Sequence, residues 1–458
     1  MTNKYHSVKP ITGSGEKRLF IETYGCQMNV NDSEVVLSIL QPEGYTLCET
    51  FKEADLILIN TCSIRDNAEQ RIWGRLDLFR LEKIKRKGLK VGILGCMAER
   101  LKDELLNHTA VDLVAGPDSY RALPFLLESL ESGSKQINTI LSQEETYADI
   151  SPVRMDKNGV SSFISIMRGC NNMCSYCVVP YVRGGERSRD PLSIEREARE
   201  LFENGYREVT LLGQNVDSYH WANPDNPTET TTFARLLEMI ALIDPALRVR
   251  FSTSHPKDMS NSVLYTMAMY PNICKHIHLP VQSGSDAMLL KMNRKYTRAQ
   301  YLERVAKIRE IMPDCSISTD IIAGFSGESE QDHLETLSVM KEVGYYTAFM
   351  FQYSERPNTK ASRRYPDDVP AEVKSRRLDE VIKLHKELSL ASNKADLGKE
   401  FEVLVEGFSK KSKAELTGRT QQNKVVVFPA GGHKTGDYVW VKVESCTSAT
   451  LIGKEIIK

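Results

Sequence analysis

The sequence predicts an α/β protein in three parts: an N-terminal doubly wound α/β domain, a central partial (β/α)6 TIM-like barrel and a small C-terminal all-β barrel. Two observations carry this. Short apolar runs alternate with amphipathic stretches, first over residues 17–135 and again from Phe163 onward, which implies parallel strands joined by helical crossovers. The last 60 residues instead hold five short β-type runs with Gly-rich turns and no helical pattern. A chain of 458 residues is too long for one ordinary core and has room for about two to four domains.

In the first part RLFIETYG, ADLILINT, KVGILG and VDLVAG read as strands, with helical patterns at NDSEVVLSIL, up to about Lys87, and at ERLKDELLN. These bound a domain at 17–135, and the polar segment from Ser132 to Gly159, which lacks periodicity, reads as a linker. The second part, 156–390, places strands at FISIMR, EVTLLG, RVRFST, HIHLP, SISTDIIAG and AFMFQYS, separated by helices such as TRAQYLERVAKIREIM and SEQDHLETLSVMKEV. Six such units suggest an open barrel, with its chemistry at the C-terminal strand ends. A charged helix over Ala371–Leu397 leads to a third domain, 393–458, with β runs FEVLVEG, AELTGRT, KVVVFP, YVWVKVES and ATLIGKEI.

Composition excludes several classes. Apolar residues at 41% and charged residues at 26% argue against disorder or low complexity. The opening MTNKYHSVKP has no apolar core, and no run approaches the roughly 18 apolar residues a membrane span needs, so the expectation is a cytoplasmic protein with no membrane partner. A net charge of −1 exerts no global pull on nucleic acid, so an RNA site has to be a local basic patch.

Ten cysteines in a reducing compartment point to metal or redox chemistry rather than disulfides. Cys48, Cys274, Cys315 and Cys446 are isolated and read as small hydrophobes. The other six form two sets. Cys170, Cys174 and Cys177 lie in RGCNNMCSYC directly after the first barrel strand. Three thiolates on so short a loop can converge on one cuboidal cluster and leave one iron open, whereas a structural zinc site usually has four ligands in paired knuckles. Cys26, Cys62 and Cys96 are far apart in sequence, but each follows an apolar strand, in YGCQMN, INTCSIR and LGCMAE. In a doubly wound sheet such strand ends lie side by side, so these three can meet at a second site.

These motifs, together with SIMRGCNNMCSYCVVPYVRG, LLGQNV, SHP, HLPVQSGS and the FEVLVEG-to-GRT stretch, resemble the methylthiotransferase branch of the radical S-adenosylmethionine superfamily. The likeness runs in order along nearly the whole chain. The resemblance implies a methylthiotransferase N-terminal domain, a radical core and an RNA-holding TRAM domain. It implies two [4Fe-4S] clusters: one on Cys170, Cys174 and Cys177, the catalytic set, which binds S-adenosylmethionine and yields a 5′-deoxyadenosyl radical, and an auxiliary one on Cys26, Cys62 and Cys96. The GCQMN and NTCSIR flanks are similar to the tRNA-modifying members rather than to those that modify a ribosomal protein. The implied reaction adds a methylthio group to carbon 2 of N(6)-dimethylallyladenosine at position 37 of tRNA, using two S-adenosylmethionine molecules.

By the same resemblance, the element that grips the cofactor ends the second barrel strand, at Gly213-Gln214-Asn215, which makes Gln214 a candidate contact. Glu186, in a literal Gly184-Gly185-Glu186, is a second candidate, set against a surface salt bridge with Arg183 or Arg187. Thr253, Ser254, Asp320 and Gly324 lie at the C-terminal barrel face and are candidates for ribose and adenine contacts. Lys410, Lys411 and Lys413 cluster in a turn, with Arg419 following, and can meet phosphates without reading sequence. Gly324-Phe325-Ser326-Gly327-Glu328 and Arg356-Pro357-Asn358-Thr359 depart from the family's GFPGE and RPGT, and Asn358 can take the left-handed conformation a glycine would supply. Implied partners are the tRNA anticodon stem-loop and an electron donor such as flavodoxin or ferredoxin, with the chain a monomer. Two other readings stand beside this one. The same chemistry could serve threonylcarbamoyladenosine in tRNA or a ribosomal protein, or the chain could be a non-catalytic iron-sulfur RNA-binding protein.

Overall fold

A computed structural model describes residues 17–63, 66–155 and 159–458. Ile64 and Arg65, the end of NTCSIR, lie outside the described residues, as do residues 156–158, where the central domain was expected to begin. The chain divides into two compact units. Of the described residues, the first comprises 17–63, 66–155, 163–171 and 178–194, and the second 159–162, 172–177 and 195–458.

The first unit holds a six-stranded sheet: β1 (Lys17–Thr23), β2 (Tyr45–Leu47), β3 (Leu56–Thr61), β4 (Lys90–Gly95), β5 (Leu113–Ala115) and β6 (Gln136–Asn138). Its order is β2-β1-β3-β4-β5-β6, and every pairing is parallel. The order reverses between β1 and β3, the switch point where doubly wound sheets place their ligands. LILINT of β3 is buried at every position, because helices cover both faces, and two apolar clusters form, around Leu19, Leu58 and Leu113 on one side and Ile57, Ile93 and Val114 on the other. Each such side chain contributes about 1.5–3 kcal/mol by leaving water.

The segment read as a linker contributes structure to this unit. β6 extends the sheet, and Tyr147 is buried, stacked on Tyr120 at 5.7 Å, with its hydroxyl donating to the Pro117 carbonyl. The edge strand was illegible because QIN is too short and polar to show a period. Two further strands close the unit, β8 (Met167–Arg168) and β9 (Arg187–Ser188), which follow β7 (Ser161–Ser165) and pair antiparallel.

The second unit holds the barrel strands β10 (Glu208–Leu212), β13 (Arg248–Ser252), β14 (His276–His278), β15 (Ser316–Ala323) and β16 (Thr347–Gln352), with β7 divided between the units after Ser162; β11 (His220–Ala222) and β12 (Thr230–Thr232) form a small hairpin between them. Two three-stranded sheets result, β13-β10-β7 and β14-β15-β16. A parallel bridge between Val249 and Ile273, with Cys274 N–H donating to the Val249 carbonyl, joins β13 to the approach of β14. Among the described residues the two sheets, linked by that bridge, do not close into a ring. Its helices start where the sequence supplies caps: Thr297 with Gln300 and Ser329 with Asp332 form capping boxes, each worth about 1 kcal/mol. Asn358 has φ +69°, the left-handed conformation expected of it.

The helix Ala371–Lys394 precedes β17 (Glu400–Phe408), β18 (Glu415–Arg419), β19 (Val425–Pro429), β20 (Tyr438–Cys446) and β21 (Leu451–Glu455), which close into a barrel in the order β17-β18-β19-β21-β20. Alternate residues such as Val403, Val405, Leu416, Val426, Phe428 and Val441 fill it. Arg248 and Arg250 of β13 moor it by donating to the carbonyls of Arg419, Glu402 and Thr420 at 2.7–2.9 Å. Of the isolated cysteines, Cys274 and Cys315 are buried and Cys48 and Cys446 partly so. Burial pushes the thiols of Cys48 and Cys315 up to about 11 and about 12, as befits inert hydrophobes.

Candidate functional site

Cys26, Cys62 and Cys96 each follow the C-terminal end of one of three adjacent strands, β1, β3 and β4. Glycines precede two of them, because the chain must turn sharply off a strand there. Gly25 has φ +123°, and a Cβ on it would lie 2.4 Å from the Cys62 Cβ; Gly95 has φ +87°, and a Cβ would strike Asn60 Oδ1 at 2.4 Å. The loops of Cys26 and Cys62 are thus in contact. Buried amides tie them: Asn60 donates to the Asn29 carbonyl at 2.9 Å and to Ser33 Oγ at 3.0 Å, and Asn29 donates to the Tyr24 carbonyl at 3.0 Å. Thr61 Oγ1 donates to the Leu94 carbonyl at 2.9 Å and links the Cys62 loop to β4. The asparagines of GCQMN and INTC are therefore the frame of the site.

A buried ionic cluster backs these thiols. Arg183 Nε donates to Cys96 Sγ at 3.2 Å, and its Nη2 to Asp32 Oδ2 at 2.7 Å and Asn29 Oδ1 at 3.3 Å. Arg168 pairs with the other oxygen of Asp32, and Arg187 with Asp118 at 3.0 Å. Burial alone would lift the Asp32 carboxyl, but the charges of Arg168 and Arg183 outweigh it and hold it below the usual range. Hydrogen bonding with Cys62 lowers the Cys26 thiol, against burial and with help from the Arg183 charge. Burial raises Cys96, a rise that Arg183 opposes. None of these charged residues was singled out from sequence as part of the site, because Asp32 and Arg183 stand 151 positions apart.

The boundary between the two compact units passes through the RGCNNMCSYC loop, with Cys170 on the first side and Cys174 and Cys177 on the second. On the first side, Cys170 N–H donates to the Gly184 carbonyl at 3.2 Å. Glu186 accepts from the Asn171 backbone N–H at 3.1 Å, while Arg183 and Arg187 pair with the two aspartates. Glu186 thus braces the cysteine loop. On the second side, Cys177 N–H donates to the Cys174 carbonyl at 3.0 Å, and Arg294 Nη1 donates to Cys174 Sγ at 3.2 Å.

At the ends of β10 and β13 the second unit gathers buried polar atoms with no hydrogen-bond partner among the described residues, Gln214 Oε1, Asn215 Oδ1 and His255 Nε2, next to the hydrogen-bonding side chains of Asp217 and Ser254. Asn215 donates to Asp258 at 2.8 Å, and Asn172, from the cysteine loop, donates to the same carboxylate at 3.4 Å. Burial, with the charges of Arg294 and Lys257, pushes His255 down to about 2, so it is neutral. Thr253 Oγ1 hydrogen-bonds Ser252 Oγ at 3.0 Å, and its N–H donates to the Gly213 carbonyl. Asp320, on β15, sits 3.4 Å from His278 Nε2. Gly324 faces elsewhere: its N–H donates to Glu328 at 2.8 Å, and a Cβ on it would meet Lys374 Cγ at 2.4 Å. Lys410, Lys411 and Lys413 are exposed between β17 and β18, while Arg419 pairs with Glu406 at 3.0 Å.

The residues present fit iron-sulfur clusters and a polar cofactor. Among the described residues no three His, Cys, Asp or Glu side chains close on a single metal ion, whereas ligands of a cuboidal cluster stand further apart; thiols backed by buried guanidinium donors suit an anionic cluster. The unsatisfied atoms beside Gln214 and Ser254 suit a small polar ligand, since orphaned buried polar groups are rare without one.

An open six-stranded barrel with a three-cysteine loop after its first strand defines the class, and residues 164–340 match the radical SAM superfamily model. Residues 18–116 match the uncharacterized protein family UPF0004, and residues 394–456 the TRAM domain. The tRNA-2-methylthio-N(6)-dimethylallyladenosine synthase of Phocaeicola vulgatus is 59% identical over 449 residues, 98% of each chain. That of Parabacteroides distasonis is 55% identical over 458 residues, the whole of both. The chain belongs to the tRNA-2-methylthio-N(6)-dimethylallyladenosine synthase family, and it is an enzyme of the radical S-adenosylmethionine class. A solved structure of the radical S-adenosylmethionine methyltransferase TsrM from Kitasatospora setae, with cobalamin and a [4Fe-4S] cluster bound, shares the fold with a TM-score of 0.58 at 14% identity, covering 75% of this chain and 77% of that one. Among the described residues no helix is long and apolar enough to cross a membrane.

Proposed function

We propose that the chain holds two [4Fe-4S] clusters, on Cys26, Cys62 and Cys96 and on Cys170, Cys174 and Cys177, and uses them to place a methylthio group on carbon 2 of N(6)-dimethylallyladenosine at position 37 of tRNA. When bound, the clusters and two S-adenosylmethionine molecules supply the methyl group, the sulfur site and the radical that activates the carbon–hydrogen bond. The chain's residues bind and orient. Gln214, Ser254 and the polar atoms around them take the cofactor; Thr253 and Asp320 line the same barrel face. Glu186 holds the cysteine loop to the strand pair behind it, and Gly324 is a packing position against Lys374. Lys410, Lys411 and Lys413 meet RNA phosphates, with Arg419 held back by Glu406. The electron donor is a redox protein such as a flavodoxin or ferredoxin, and the reaction takes place in the cytoplasm.

The placement of Cys26, Cys62 and Cys96 at three adjacent strand ends carries this reading. It is tested by iron and sulfide analysis of protein purified anaerobically. Two clusters per chain are expected, and a combined Cys170→Ala, Cys174→Ala and Cys177→Ala variant should keep about half the iron, since one set of ligands is removed whole. Full iron in that variant would overturn the two-site reading.

A further inference from the structure

We infer that Arg183 is a positioning residue of the cluster on Cys26, Cys62 and Cys96, donating from Nε to the Cys96 sulfur and setting a buried positive charge beside it. The inference rests on the two-cluster reading above. Arg183 is 3% exposed, and its donors are accounted for on one side only. Nε is on Cys96 and Nη2 on Asp32 and Asn29, whereas Nη1 is buried and has no acceptor among the described residues. A buried N–H left unmade costs about 1–3 kcal/mol, more on a charged group.

Charge balance points the same way. Three buried guanidiniums, Arg168, Arg183 and Arg187, share two carboxylates, Asp32 and Asp118, so the group as a whole carries one positive charge in excess, and Arg183 is the member that reaches a thiol. An uncompensated buried cation costs several kcal/mol. A [4Fe-4S] cluster carried on three thiolates supplies the missing anion, and its sulfides are acceptors.

Hydrogen bonds and positive charge at cluster sulfur stabilise the reduced form, so Arg183 raises the cluster's reduction potential. The test uses the full chain with Cys170, Cys174 and Cys177 changed to alanine, loaded anaerobically so that only this cluster is present. In that parent, resonance Raman should show iron–sulfur stretches that shift on exchange into D2O. Arg183→Lys, which keeps the charge beside Asp32 but loses the fork, should diminish the deuterium shift. It should also move the midpoint potential, followed by electron paramagnetic resonance, to more negative values at unchanged iron content. Arg183→Gln with Asp32→Asn should move it further.

Four irons with the parent's potential and the parent's deuterium shift in both variants would overturn the assignment of Arg183 alone. An iron-free parent would instead overturn the cluster reading, and this inference with it. Where a variant loads no iron, the parent decides: deuterium-sensitive stretches support the proposal, and their absence overturns it.

Discussion

Arg294 donates from Nη1 to Cys174 Sγ at 3.2 Å while its Nη2 is fixed on the Pro280 carbonyl at 2.9 Å and its Nε on Tyr296 Oη at 3.0 Å. The guanidinium is held by the barrel before it reaches the thiol, so it orients Cys174 rather than being oriented by it. Arg294→Gln should reduce formation of 5′-deoxyadenosine by about 10–100-fold, the usual cost of losing a group that supports a metal ligand. The assay is product formation under reductant without tRNA, and an unchanged rate would assign Arg294 to packing alone.

Burial pushes the Asp217 carboxyl up to about 7, far above the roughly 3.9 of an unfolded aspartate. The folded state therefore holds the proton more tightly. The group's contribution to stability is complete below about pH 4 and is lost as pH rises through about 7. Asp217→Asn removes that titration, so its stability should gain on the parent's between pH 5 and pH 8, with an upper bound of about 3 kcal/mol over that window. Thermal unfolding by circular dichroism checks this, and a constant difference across that range would contradict it.

Much of the fold follows from pattern, because buried parallel strands such as LILINT announce themselves as continuous apolar runs and the five short β runs have little else to form. The three strand-end cysteines were legible for the same reason: topology places them. What the sequence hides is pairing over long separations. Nothing in PYVRGGER says that Arg183 meets Asp32, and nothing around residue 294 says that its arginine meets Cys174. The strand QIN and the buried Tyr147 were also hidden, since a sheet edge and a single aromatic have no period to read.

The turn off β4 gives a test of the local geometry. Gly95→Ala introduces a Cβ 2.4 Å from Asn60 Oδ1 and 2.7 Å from the Thr61 carbonyl, and the positive φ adds strain of about 1–3 kcal/mol. Gly44→Ala, at φ +83° with nothing within 4 Å, has the strain without the collision. In urea unfolding Gly95→Ala should lose clearly more stability than Gly44→Ala; equal losses would contradict the close approach.

Lys410, Lys411 and Lys413 are exposed, so replacing all three with alanine should leave unfolding within about 0.5 kcal/mol of the parent. tRNA affinity should fall, and the slope of log K against log salt should flatten by about 2–3, one counterion or slightly less per lost phosphate contact. An unchanged slope in filter binding would remove these lysines from the RNA surface.

The central claim is that the two cysteine sets divide the reaction, and it is tested most directly by the combined Cys26→Ala, Cys62→Ala and Cys96→Ala variant incubated with S-adenosylmethionine, reductant and tRNA carrying N(6)-dimethylallyladenosine. Because a cluster can stabilise the domain that holds it, circular dichroism and tRNA binding are measured on the same preparation. With both retained, the account predicts that 5′-deoxyadenosine still forms and that nucleoside analysis finds no 2-methylthio product. Methylthiolated tRNA from this variant would contradict it.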